Sequence, residues 1–246
     1  MKAGTKRRGS SALALVGVLL LATVASGEGY GNDGSGVLWR IRTRQGDVVR
    51  MGQVVVTDGD SRLAPELTDI ALSTKHGLYA ISFGMLYRVP LEDPEHSTVV
   101  GSLGASLNAL AFDADDNLYG AGDMGLYRID LTTGRARRIG AFGVGSGSDG
   151  DLVFIGKELW ATISSSGGVL LARLDPATGR AASSTLLRRE DGSRPMNVWG
   201  LSYDGQQLLG LCPDGEVLSI DREKAVARTL MRTKVRFWGG SVPLRL

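Results

Sequence analysis

The chain carries a single cysteine, Cys212, in 246 residues, so no internal disulfide can form. Set in Leu208-Leu209-Gly210-Leu211-Cys212, it reads as a small buried hydrophobe rather than a nucleophile. Histidine is almost as scarce: His76 and His96 are the two copies. Both fall in polar stretches, so neither a Ser/His/Asp set nor a multi-histidine metal set can be assembled. Long apolar runs are missing beyond the first 26 residues. There Lys2, Lys6, Arg7 and Arg8 precede the apolar stretch Ser11–Ala25, and Val24-Ala25-Ser26 offers small residues before Gly27. That is the layout of a secretory signal peptide. The apolar run falls short of the roughly 20 residues of a membrane helix, which disfavours an uncleaved anchor. Ser10 and Ser11 stand where a twin-arginine signal becomes hydrophobic, and the absence of cysteine near the cleavage region excludes a lipoprotein. Excess positive charge is also lacking. Removing residues 1–26 takes away four cations and no acids, which moves the formal net charge from +2 to −2. No nucleic-acid partner is implied. The expectation is a secreted or periplasmic protein with no stable membrane span after cleavage.

What the chain does have is a repeat. Gly125-Leu126-Tyr127-Arg128-Ile129-Asp130-Leu131 alternates as a half-buried strand does, Thr132-Thr133-Gly134 makes a tight turn, and the strand returns through Arg137-Arg138-Ile139-Gly140. Leu38-Trp39-Arg40-Ile41 reaches Gly46 and Gly52 at the same offsets, and further copies are Leu86–Val89, Leu171–Asp175 and Leu218–Asp221. The anchors Ile41, Val89, Ile129, Leu174 and Ile220 are 48, 40, 45 and 46 residues apart. A period in the forties built of short strands is the signature of propeller blades.

A second hairpin interleaves with the first. Its copies begin at Asp69-Ile70-Ala71-Leu72, Asn108-Ala109-Leu110-Ala111-Phe112, Asp151-Leu152-Val153-Phe154 and Trp199-Gly200-Leu201-Ser202-Tyr203. Each blade then has two inner and two outer antiparallel strands. The chain opens on an outer hairpin and closes on Phe237-Trp238-Gly239-Gly240-Ser241-Val242, which matches an innermost strand. Joining the ends completes a fifth blade of three or four strands and removes free sheet edges. The fold class is therefore all-β, a five-bladed propeller over residues 37–246. Residues 27–36, half glycine, read as a flexible leader.

The pattern L-Y-x-I-D-x-x-T-G, carried by Leu126–Gly134, pairs with A-F-D-x-D-x-N-L-Y, carried by Ala111–Tyr119. Together they resemble the NHL and YVTN types of exported bacterial propeller repeats, over Leu38 to Val242. The resemblance implies architecture and no particular activity. Leu126–Gly134 is also similar to quinoprotein repeats, but Arg137, Arg138 and Ile139 stand where those place a tryptophan, which speaks against a quinone cofactor. The Gly-His and Trp-Asp marks of WD40 blades are absent, and diglycine is too rare for kelch.

Candidate chemistry is thin. Asp113-Ala114-Asp115-Asp116-Asn117 alternates carboxylates as calcium loops do, yet lacks the loop glycine and the downstream glutamate. A strand-joining turn is the favoured reading, with calcium the one cofactor left in view. Asp58-Gly59-Asp60 and Asp149-Gly150-Asp151 are similar loop material, and Arg188, Arg189, Arg194 and Arg232 mix with Glu190 and Asp191 as ordinary charged surface. The innermost strand starts are more informative. One register reads Thr68, Asn108, Gly150, Trp199, Trp238, and the next reads Asp69, Ala109, Asp151, Gly200, Gly239. In a propeller these starts ring one channel mouth. There Asp69, Asn108, Asp151, Trp199 and Trp238 would converge on a ligand, with indoles for stacking and polar groups for hydrogen bonds. The competing reading has the tryptophans packing between blades and the aspartates bonding backbone amides. Three function classes follow: a non-catalytic binding or interaction module for a small ligand, carbohydrate, peptide or protein; a metal-dependent hydrolase or lactonase-like enzyme; and a subunit of an envelope or secreted assembly.

Overall fold

The computed structural model describes residues 28–58, 60–123 and 125–241, so the expected signal peptide, residues 1–26, lies outside the described residues. Five four-stranded antiparallel blades close into a ring. From the axis outward, blade one is Asp69–Ser73, Gly77–Ile81, Met85–Val89 and Thr98–Ser102. Blade two is Ala109–Phe112, Leu118–Gly122, Gly125–Ile129 and Ala136–Gly140. Blade three is Gly147–Ile155, Glu158–Ser165, Gly168–Leu174 and Ala181–Leu186. Blade four is Gly200–Tyr203, Leu208–Leu211, Glu216–Asp221 and Val226–Arg232, with Arg188–Arg189 added in parallel at its outer edge.

Blade five closes the ring and corrects the reading of residues 27–36. Its innermost strand is Phe237–Ser241 and its outer pair is Val37–Arg42 and Asp47–Gln53. Between them sits Glu28–Asp33, which pairs with both neighbours. The supposed leader is thus a strand, and the blade has four. Its glycines serve close packing: a Cβ on Gly31 would come within 2.9 Å of the Phe237 ring.

Successive strand residues face opposite sides of a blade, so each side packs on a neighbour. Five apolar clusters result, one at each blade-to-blade interface. Leu38, Val54, Ile70 and Leu78 lie between blades five and one, and Ile81, Leu110, Leu118 and Ile129 between one and two. Ala109, Leu152, Leu159 and Leu174 lie between two and three, Trp160, Leu171, Leu201 and Leu218 between three and four, and Ile41, Leu211, Val217 and Phe237 between four and five. Cys212 belongs to the blade three–four cluster at 3% exposure, and burial pushes its thiol well above the usual cysteine range. It is the small hydrophobe expected.

The glycine offsets of the repeat have a packing cause. Leu38, Leu86 and Leu126 each pair across a bulge with Gly52, Gly101 and Gly140 in the outermost strand. The next blade presses there. A Cβ on Gly101 would sit 2.2 Å from the Thr133 carbonyl oxygen, and one on Gly140 would sit 2.1 Å from that of Thr178. Gly134 and Gly179 make the pressing turns at φ 77° and 75°, where only glycine is unstrained. Gly140→Ala is expected to cost about 1–3 kcal/mol by overpacking. At this size that lowers the melting temperature by roughly 2–12 °C. Gly84→Ala, which meets nothing within 4 Å, should leave it unchanged. Equal melting temperatures for the two variants would refute the contact as the cause.

Candidate functional site

The register Thr68, Asn108, Gly150, Trp199, Trp238 does line one cavity at the channel mouth, together with Phe83 and Asp149. Its volume is about 220 Å³. The two indoles meet edge to face, ring centroids 5.7 Å apart and planes at 78°. Trp238 lies on Gly34, where a Cβ would come within 2.6 Å of the ring. Phe83 stands on the rim at 53% exposure. Of the polar groups, Thr68 Oγ1 donates to the carbonyls of Ile81 and Leu107, and Asn108 Nδ2 donates to Ser148 O at 3.3 Å. Asn108 Oδ1 is buried and has no partner. Asp149 accepts from Val198 N at 3.0 Å and Ser164 Oγ at 2.7 Å. Burial nonetheless holds its carboxyl above the usual range, against the pull of those two donors.

One residue further along, the picture changes. Asp69 and Asp151 are fully buried, do not line the mouth cavity, and have carboxyls that interact with each other. Asp69 accepts from the amides of Ile70 at 2.7 Å, Leu110 at 2.5 Å and Gly240 at 3.1 Å. Asp151 accepts from Leu152 at 2.5 Å and from Leu201. The donors come from the innermost strands of all five blades. The pair is a central rivet bonded to backbone amides, as the competing reading has it, and it lies inside the ring rather than at the mouth. Room for it comes from the glycines after each tryptophan: a Cβ on Gly239 would lie 2.1 Å from Asp69 Oδ1, and one on Gly200 would lie 2.9 Å from Gly239 C. Burial pushes both carboxyls well up, and the Asp151 charge raises Asp69 further. Beneath them the channel is nearly filled by Leu72, Leu110, Phe112, Leu152 and Leu201.

Beside the mouth, and sharing Trp199 with it, lies a second cavity of about 330 Å³. Its lining includes Arg189, Arg194, Met196 and Arg236, with Met196 at 89% exposure. Cys212, Asp214 and Glu216 converge nearby within 4.8 Å. Glu216, however, is held by Arg189 (2.7 and 2.6 Å), Arg232 (2.9 Å) and Thr229. The cluster is an ion-pair hub, and these bonds, Arg189 foremost, hold the Glu216 carboxyl below its usual range.

The remaining candidates are local turns. Asp113 accepts from the amides of Asp115 and Asn117 and from the Asn117 side chain, as a strand-joining turn requires. His96 Nδ1 bonds the Asp93 carboxylate three residues earlier at 2.7 Å, and His76 stacks on Phe112. Phe83 and Arg194 sit on connections outside the repeated positions, and Asp149, inside the strand Gly147–Ile155, reads in sequence only as part of an Asp-Gly-Asp turn.

No known family and no curated protein matches the sequence. Among solved structures, the chain is similar to one in a crystal structure of a nidogen/laminin complex at 11% identity and a TM-score of 0.57. The match covers 87% of this chain and 98% of that one. The likeness is one of fold. TolB from Acinetobacter baumannii is similar at 18% identity and a TM-score of 0.48, over 85% of this chain and 53% of that one, so the chain spans about half the TolB length. The five-bladed propeller stands on its own geometry, and these similarities assign no activity. No helix among the described residues is long and apolar enough to cross a membrane.

Proposed function

We propose that the protein is a non-catalytic, exported binding module whose channel mouth takes a carbohydrate. The observation that carries this reading is the paired indoles of Trp199 and Trp238, set beside Asn108, Asp149 and the exposed Phe83 in one concave site. Indoles offer rigid apolar faces for a sugar ring, and a few fixed polar groups read its hydroxyls. Export rests on the charged-then-apolar layout of residues 1–26. A hydrolytic reading has less support, since the oxygens of Asp69 and Asp151 are occupied by backbone amides.

The test is a Trp199→Leu, Trp238→Leu double variant screened on an oligosaccharide array beside the parent. Loss of every glycan signal, with the melting temperature within about 2 °C of the parent, is the expected result. Were the indoles packing residues instead, each change would cost on the order of 1–3 kcal/mol, and the melting temperature would fall steeply. Binding of peptides and of no glycan by the parent would replace the carbohydrate reading.

A further inference from the structure

Resting on the carbohydrate reading, we infer that the ligand is an acidic oligosaccharide, its carboxylate held by Arg194 and Arg236 while a neighbouring ring sits on Trp199. Size is the first argument. The mouth alone, at about 220 Å³, falls below the roughly 300–1,000 Å³ of ordinary ligand pockets. Joined across Trp199 to the adjoining cavity of about 330 Å³, it comes within that range and becomes elongated, as a chain of two or more sugars is.

Charge is the second argument. Arg194 donates through Nη1 to Gly167 O at 2.6 Å, and Arg236 through Nε to Pro213 O at 3.3 Å. Among the described residues neither guanidinium forms an ion pair. Both are exposed and retain further N–H donors. The Arg189 charge is spent on Glu216, which leaves Asp214, whose carboxylate accepts from Glu216 N at 3.0 Å, as the one acid of this cavity outside an ion pair among the described residues. Two guanidinium groups outside ion pairs against one such carboxylate favour an anion, and the guanidinium fork fits a carboxylate in particular.

The third argument is that the segment carrying Arg194, residues 188–198, is tied down. Arg188–Arg189 pairs with the outer strand of blade four, Arg189 bonds Glu216 through both terminal nitrogens, and Val198 N bonds Asp149. A tethered loop loses little freedom when it binds.

The experiment is titration of the purified protein, by intrinsic tryptophan fluorescence, with an α-linked tetragalacturonate and its fully methyl-esterified form, repeated with an Arg194→Gln, Arg236→Gln double variant. Paired neutral and uronic-acid glycans on an array extend the comparison. The acidic form should bind at least about tenfold more tightly at low salt, and the double variant should abolish that difference while still binding the ester. Equal binding of acid and ester across the array would overturn the inference and leave the carbohydrate reading standing. Binding of neither, by any pair, would overturn both.

Discussion

Truncation after Val235 is expected to yield a chain that does not fold cooperatively and is recovered as aggregate. The lost strand, Phe237–Ser241, is the innermost of blade five and pairs with Glu28–Asp33. Phe237 is fully buried, and a side chain of that size contributes about 1.5–3 kcal/mol by burial alone. Gly240 N would leave Asp69, and Leu72 N would lose its 2.9 Å bond to Ser241 Oγ. The faces that pack on Phe237 at the blade four–five interface would open to water, and Glu28–Asp33 would present a free edge ready to pair with other chains. Set against a total stability of roughly 5–15 kcal/mol, the sum of these losses exceeds what the ring can absorb. Size-exclusion chromatography and thermal unfolding decide the matter. A soluble monomer melting within a few degrees of the parent would show that the ring does not need closure.

The blade architecture was legible because the repeat is a packing rule. A leucine and an isoleucine three apart, as in Leu126 and Ile129, must bury on two different neighbours, and Gly140 must admit the next blade's turn. These needs recur at every interface, so they recur in sequence. Glu28–Asp33 escaped notice because Gly29 and Gly31 supply little of the apolar alternation that marks a strand. Only the two flanking strands, Phe237–Ser241 and Val37–Arg42, impose its conformation. The channel mouth was legible to one register. Thr68, Asn108, Gly150, Trp199 and Trp238 line one cavity, whereas Asp69 and Asp151, one step on, turn into the axis. Whether an acid at a strand start meets solvent or amides depends on how far five strands converge, which no single strand encodes. Phe83, Arg194 and Arg236 lie on connections whose lengths differ between blades, so no repeat position announces them.

The aspartate rivet leads to the second large effect. Asp69→Ala should destabilise the protein by about 3–5 kcal/mol or prevent folding. It strands the amides of Ile70, Leu110 and Gly240 in a dry interior, at roughly 1–3 kcal/mol for each unsatisfied group. Asp151→Asn is the informative companion: it keeps the volume and one acceptor but cannot ionise. In the parent both carboxyls are raised above their ordinary 3.8, by burial foremost, so the folded state binds protons more tightly than the unfolded chain. The sign follows from linkage: stability from this pair is complete below the unfolded value and is lost as pH rises through the raised folded value. The opposite behaviour comes from Glu216, held below its usual range by Arg189, whose contribution is present above the unfolded value and lost as acid protonates it. Subtracting the Asp151→Asn profile from that of the parent isolates what the Asp151 carboxyl adds, since Asp69 and Glu216 are common to both. Melting temperatures measured from pH 4 to 9 should therefore show the parent's advantage over the variant shrinking as pH rises. Parallel profiles would mean that the Asp151 carboxyl titrates alike in the folded and unfolded chain, and that it holds no extra proton in the rivet.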